Sequence, residues 1–384
     1  STLGAAQARR WPTASLEAGY TRLNETPTSV GSVTLPAPLP PSTLDIALPV
    51  QQPSYYAYKA EVRLPLYTGG RIERGIEAAT SLRGAAVGDE LRAAMDLRLV
   101  VAQAYVACLH AARLVSVAQS SVDSLSAFEQ DVTHLFDKGL VARNDVLAAR
   151  VAGADAQLRR IVAGHALNLA QAAYNRLLGR DFEQLLDLQE FSLQVSPADL
   201  ATLTAHAESL RPELAMLAEQ GTALRAQASA VRAGLAPQVA VVASYTRQQN
   251  RYQAHEGIAG VGIGLSWALF DGGLLRHESS ALAARAAAVD AQRAEARSLI
   301  ALQVRQAWLG TQDAAQRIVV AHAALDNAEE NLRLARDRYS HGMAIYTEVL
   351  QAETLRNASQ TQDHAATYDA LLAQLQLRRA AGTL

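Results

Sequence analysis

The chain has 384 residues, 49% hydrophobic and 19% charged, with 35 Lys and Arg against 37 Asp and Glu and a single cysteine, Cys108. A formal net charge of −2 gives no electrostatic reason to expect a nucleic-acid partner, and one cysteine excludes an internal disulfide and a Cys-rich zinc site. No run of eighteen uncharged apolar residues occurs, which excludes a membrane-spanning helix and leaves a membrane β-barrel open. The opening residues, Ser1 to Arg10, lack the basic, apolar and cleavage regions of a signal peptide, so any such segment is expected to be gone.

In chain order, alternation of side chains predicts strands over about 14–23 and about 54–67. In the second strand Tyr56, Tyr58, Ala60, Val62, Leu64 and Leu66 share one face, while Tyr55, Ala57, Lys59, Glu61 and Arg63 share the other. Residues 24–53 between them, with Leu35-Pro-Ala-Pro-Leu-Pro-Pro41, read as an exposed Pro-rich loop. Proline-free stretches with apolar residues at three and four spacing predict long helices over about 71–135 and about 144–178, parted at Gly139. At about 1.5 Å per residue the first of these spans on the order of 90 Å, more than any compact domain needs. A mixed connector follows from about residue 180. Then come a helix over about 209–234, strands over about 238–248 and 257–270, and long helices over about 274–338 and 347–379, parted at Gly342.

The second half repeats the first. Leu66-Tyr-Thr-Gly-Gly70 recurs as Leu269-Phe-Asp-Gly-Gly273, and the same offset of 203 places Gln103-Ala-Tyr105 on Gln306-Ala-Trp308, Gly139 on Gly342 and Asp145-Val-Leu147 on Glu348-Val-Leu350. Upstream of the glycine pair the offset becomes 225, setting Pro12, Tyr20, Thr21 and Arg22 on Pro237, Tyr245, Thr246 and Arg247, so the first half carries 22 extra residues in its loop. Residues 211–225 then have no counterpart, and the chain is expected to lack its natural beginning. The division is a first repeat over 1–203 and a second over 204–384, each of two strands and a helical hairpin.

On strand pattern alone, a soluble antiparallel sheet on a helical domain fits slightly better than a membrane barrel, whose alternation is a weak signal. Tyr20, Tyr55, Tyr56, Tyr58, Tyr245, Tyr252 and Trp267 nevertheless cluster in or beside the strands of a chain only 5% aromatic, which suits an interfacial girdle. Four strands cannot close a barrel, so strands that cross a membrane require several chains, two giving eight strands and three giving twelve.

The glycine pairs, Arg211-Pro-Glu-Leu214, Phe136-Asp-Lys-Gly-Leu140, Tyr339-Ser-His-Gly342 with Glu348-Val-Leu350, and the closing Ala381-Gly-Thr-Leu384, in order and duplicated, resemble the TolC-type outer-membrane efflux and secretion channel family over nearly the whole chain. The resemblance implies a mixed α and β fold whose homotrimer forms a 12-stranded outer-membrane β-barrel continued by a periplasmic α-helical barrel. It also implies a Gram-negative outer-membrane location, contact with outer-membrane lipid, a periplasmic adaptor (membrane fusion protein) and an inner-membrane transporter, ABC or proton-driven. The function implied is a passive exit duct gated at the periplasmic helical tip, with type I protein secretion favoured over drug or metal efflux. A soluble or periplasmic coiled-coil scaffold is the alternative.

By motif position the resemblance makes Glu348, Asp145, Asn144, Tyr339 and Gln351 candidates for the periplasmic gate. The chain departs from the family at Ala344, where a gate arginine is expected, and at Gln351, where a second acidic ring would lie. Glu348 and Asp145 also sit where a carboxylate simply favours a helix start. Lys59, Glu61 and Arg63 are candidates for the barrel lumen. Asp271, beside the second glycine pair, reads as a turn residue, and Cys108 as a small packing residue. No nucleophile elbow, phosphate loop or HExxH motif is present and the nine histidines show no ligand spacing, so neither enzymatic chemistry nor a cofactor or metal is expected.

Overall fold

The computed structural model describes residues 2–34, 43–191 and 199–384. In chain order the elements are α1 (Thr2–Ala8), β1 (Thr13–Arg22), β2 (Thr28–Thr34), β3 (Thr43–Pro49), β4 (Ser54–Tyr67), α2 (Arg71–Asp137), α3 (Arg143–Leu177), α4 (Leu200–Leu210), α5 (Pro212–Arg232), β5 (Gln238–Gln248), β6 (Gly257–Ser266), α6 (Leu274–Ser340) and α7 (Tyr346–Ala381). They divide into two compact units, Ser1–Val87 with Met216–Gln292 and Gly88–Ala215 with Arg293–Leu384. Neither unit is one sequence repeat, because strands of one repeat pair with strands of the other.

The first unit holds an antiparallel sheet in the order β1-β4-β5-β6. Residues opposite each other in such a ladder share a face. Leu16, Ala60, Tyr245 and Ala259 form one row of that shared face, and Ala14, Val62, Ala243 and Val261 the next. Tyr20 and Tyr56 close the row at one end with ring centroids 5.1 Å apart. The opposite face carries Glu17, Lys59 and Thr246 in one row and Ser15, Glu61, Ser244 and Gly260 in the next. The apolar face lies open: Leu16 is 76% exposed, Val261 80% and Ile263 74%. Pro65 falls at the register shift near the end of β4, where its missing N–H costs the ladder least.

Two features of this unit, and a helix break at Arg211 in the other, correct the sequence reading. The expected loop over 24–53 contains a hairpin, β2 with β3, paired from Thr28 with Pro49 to Thr34 with Thr43. Small and polar residues at Ser29, Gly31 and Ser32 blur its alternation, and the proline-rich stretch itself, residues 35–42, lies outside the described residues. The strand expected to reach 270 stops at Ser266, beyond which the Trp267 indole donates to the carbonyl of Leu235 at 3.0 Å. The helix expected over 209–234 is two helices. Arg211 precedes a proline, which forces it out of the helical region to φ −71°, ψ 118°, and α4 ends there.

The strand-to-helix joint explains one glycine pair. Gly69 has φ +63°, and a Cβ there would fall 2.4 Å from the Cβ of Ala236. Only glycine fits. At the equivalent joint Asp271 accepts from the backbone N–H groups of Gly273 and Leu275, which caps α6 and holds its carboxyl below the usual range.

In the second unit α2 and α7 are bound by polar contacts as well as packing. Val106 and Leu109 of α2 form a cluster with Tyr368 and Leu375 of α7. An eighteen-residue window of α2 has mean hydropathy 1.5 with at most two charges, which corrects the exclusion of any helix apolar enough to cross a membrane. Gln103 and His110 interrupt that window, so a criterion of uncharged apolar runs passes over it. After α3 the chain runs without helix or strand to Phe191, tied by Glu190 to Arg113 at 2.5 Å and by Gln189 to the Tyr105 hydroxyl at 2.8 Å. The rest of this connector, residues 192–198, lies outside the described residues.

Candidate gate site at the hairpin turns

Each hairpin turns in the same way. After α2 the N–H of Leu140 donates to the carbonyl of Leu135 at 2.9 Å, with Gly139 at φ +70°; after α6 the N–H of Met343 donates to Arg338 at 2.8 Å, with Gly342 at φ +71°. These left-handed glycine caps satisfy the last carbonyls of each long helix. Ala142 and Ile345 then enter α3 and α7 from extended backbone without a side-chain cap.

The turns sit on one apolar cluster: Phe128 and Val132 of α2, Val146 and Ala149 of α3, Leu332 and Tyr339 of α6, and Tyr346, Val349 and Ala352 of α7. Phe128 is its hub, edge-on to Tyr339 at 5.4 Å and stacked on Tyr346 at 5.7 Å. Neither tyrosine hydroxyl has a hydrogen-bond partner among the described residues. Burial, then the charge of Asp145, pushes Tyr339 up to about 12; burial, Tyr339 and Asp145 do the same for Tyr346.

Of the sequence candidates, the structure brings Tyr339 and half-buried Asp145 to this cluster, while Asn144 and Gln351 stand exposed on α3 and α7. Glu348, in the first turn of α7, lies 3.6 Å from the Arg338 guanidinium, which also donates to the Met343 carbonyl at 3.2 Å. The end of α6 thus places a cation, Arg338, beside Glu348. Lys59 pairs with Glu61 at 2.7 Å on the polar sheet face, with Glu17 opposite Lys59.

Sequence reasoning missed Arg338, Tyr346 and a buried charge cluster two turns into α7. Glu353 is 3% exposed; its Oε1 accepts from Arg356 at 2.8 Å, and its Oε2 accepts from Arg336 at 3.2 Å and from the Ser124 hydroxyl at 2.8 Å. The only readable signal was the i,i+3 spacing of Glu353 and Arg356.

The Arg-Pro-Glu-Leu motif proves to be a structural tie. Arg211 forks onto Glu213 at 2.9 and 3.0 Å and donates to the carbonyls of Arg379 and Ala380 at the end of α7. Burial raises the Glu213 carboxyl, but hydrogen bonds from Arg211 and Arg379 outweigh it and hold it below the usual range. No group of three or more His, Cys, Asp or Glu among the described residues could hold a metal.

One open sheet with an apolar face takes two strands from each sequence repeat, and each repeat adds a hairpin built on a 67-residue helix, an arrangement that matches a known class of outer-membrane protein. The sequence profile of the outer membrane efflux protein family matches residues 1–180 and 203–383, and the chain belongs to that family. It is 26% identical over 302 residues to the alkaline protease secretion protein AprF of Pseudomonas aeruginosa and 24% identical over 305 residues to the outer membrane protein TolC of Escherichia coli. Each alignment covers 75% of this chain, which spans 62% of the length of either relative. The solved structure of the outer membrane protein VceC from Vibrio cholerae superposes with a TM-score of 0.77 at 19% identity, covering 99% of this chain and 89% of that one. The chain is accordingly a Gram-negative outer-membrane protein with a periplasmic helical extension.

Proposed function

We propose that the chain is the exit duct of a tripartite export system, a homotrimer whose twelve strands close one barrel in the outer membrane. The observation that carries this reading is the four-stranded sheet whose apolar face lies open and whose end strands, β1 and β6, each lack a second neighbour among the described residues. In lipid every backbone polar group must be paired, so such edges close on other copies. Two copies would give eight strands and a filled interior, whereas three give twelve and room for water.

Cargo would arrive from an inner-membrane transporter, ABC or proton-driven, through a periplasmic adaptor, and leave without chemistry on the way. The gate is assigned to the hairpin turns, with Tyr339, Asp145, Glu348, Asn144 and Gln351, and the lumen to Lys59, Glu61 and Arg63. Three Glu348 carboxylates near a threefold axis favour cations, and the Arg338 partners weaken that preference. Type I protein secretion is favoured over drug or metal efflux because AprF is a protease secretion protein.

Extraction in mild detergent should yield a complex whose protein mass is near 123 kDa, three times 41.0 kDa. Conductance in planar bilayers with modest cation preference should follow, and Glu348→Ala should reduce that preference. A chain that stays soluble without detergent as a monomer or dimer would instead support a coiled-coil scaffold.

A further inference from the structure

The residues expected to hold the tip shut are partly absent: Ala344 and Gln351 carry no charge, and the Arg338–Glu348 pair is half-exposed at 55% and 42%, where ion pairs contribute little. Two turns further into α7 the situation is reversed. Glu353 serves two guanidiniums, one per carboxylate oxygen, and is almost wholly withdrawn from water.

The contacts of this cluster cross between the hairpins. Ser124 of α2 donates to Glu353, Arg336 donates to both the hydroxyl and the carbonyl of Ser124, the latter at 3.2 Å, and Arg356 donates to the Ser120 hydroxyl at 3.3 Å. Parting the first hairpin from the second therefore breaks four hydrogen bonds together. Beside it, one turn along α2, lies Phe128, the hub of the apolar cluster under the turns. The polar cluster stands at the inner boundary of that apolar contact.

We propose that the Glu353–Arg336–Arg356 cluster, with Ser120 and Ser124, is the clasp that holds the two hairpins of each chain together near their turns. The inference rests on the gated-duct reading and moves the hold from the exposed turn residues to this buried set. Loss of the carboxylate leaves the Arg356 side chain, 12% exposed, and the Arg336 side chain, 35% exposed, facing each other with no acid between them, so the hairpins separate there. Arg336 and Arg356 each already have a buried Nε without a partner among the described residues, and their remaining acceptors at Ser120 and Ser124 are uncharged, so Glu353 is the one acid both guanidiniums contact there.

Two measurements on the full-length, detergent-purified protein test this. Glu353→Gln should raise single-channel conductance several-fold and speed amide hydrogen exchange over residues 120–132 by at least tenfold, while Glu348→Ala leaves that exchange unchanged. Wild-type exchange in Glu353→Gln overturns the clasp. If Glu353→Gln does not fold, Ser124→Cys with Glu353→Cys in a Cys108→Ser background provides the second test: oxidation should fix conductance at its lowest level and a reductant should release it. Opening while cross-linked overturns the clasp. A wild-type protein with no conductance at all would sink the duct reading, and the exchange comparison would still decide the clasp.

Discussion

The two hairpins share a backbone and differ in where they put their charges. In the first, Arg150 meets Glu129 at 3.2 Å with the side chains 60% and 34% exposed; in the second, the position 203 residues on is Glu353, 4% exposed between Arg336 and Arg356. Distance alone would rank these pairs alike. Burial separates them, since water screens the first and the second cannot lose one member without stranding the others. A duplicated fold can thus assign one copy to solubility and the other to cohesion without altering a turn.

Truncation is the strongest way to break that contrast. Glu353→Ala should cost about 3–5 kcal/mol of stability and Arg150→Ala under about 1 kcal/mol, as read by denaturant unfolding, and equal costs would dissolve the difference. Next come the turns, where the backbone is the same: Gly139→Ala and Gly342→Ala should each cost about 1–2 kcal/mol, because both residues hold a left-handed conformation. Unequal costs would show that one turn carries constraints the other lacks.

Alkaline titration sharpens the contrast further, since the second hairpin buries two tyrosines where the first has Phe136 and Arg143. A tyrosine whose pKa is raised on folding keeps its proton in the folded chain while the unfolded chain loses it above pH 10. Its stabilisation is therefore intact below pH 10 and is lost as pH rises toward about 12. Thermal melts should show that decline, and Tyr339→Phe with Tyr346→Phe should flatten it. The smallest effect expected is that of Tyr346→Phe at neutral pH, within about 0.5 kcal/mol of wild type, because its hydroxyl has no partner among the described residues to lose.

What the sequence revealed and what it hid follow from range. Period-two alternation and helical spacing are local, so β4 and the long helices were legible, and duplication supplied their pairing into repeats. The Glu353 cluster was not legible, because Ser124 lies 229 residues from Glu353 and nothing local announces a contact between them. The β2–β3 hairpin was hidden for the opposite reason: its local signal is proline, glycine and serine, which argue against strand. Ala344 and Gln351 were seen as missing charges, but the approach of Arg338 to Glu348 required the turn to be folded before it was apparent.

The equal lengths of α2 and α6 constrain how this chain can change. Both have 67 residues, and the clasp joins a point thirteen residues before the end of one to a point four residues before the end of the other. A single inserted residue in either helix, upstream of that contact, would advance everything beyond it by about 1.5 Å and turn it through about 100°, carrying Ser124 away from Arg336. Length variation in these helices is therefore heritable only when the two copies change together, or when it comes in whole turns, and a lone insertion is expected to unseat the turns without touching any residue in them.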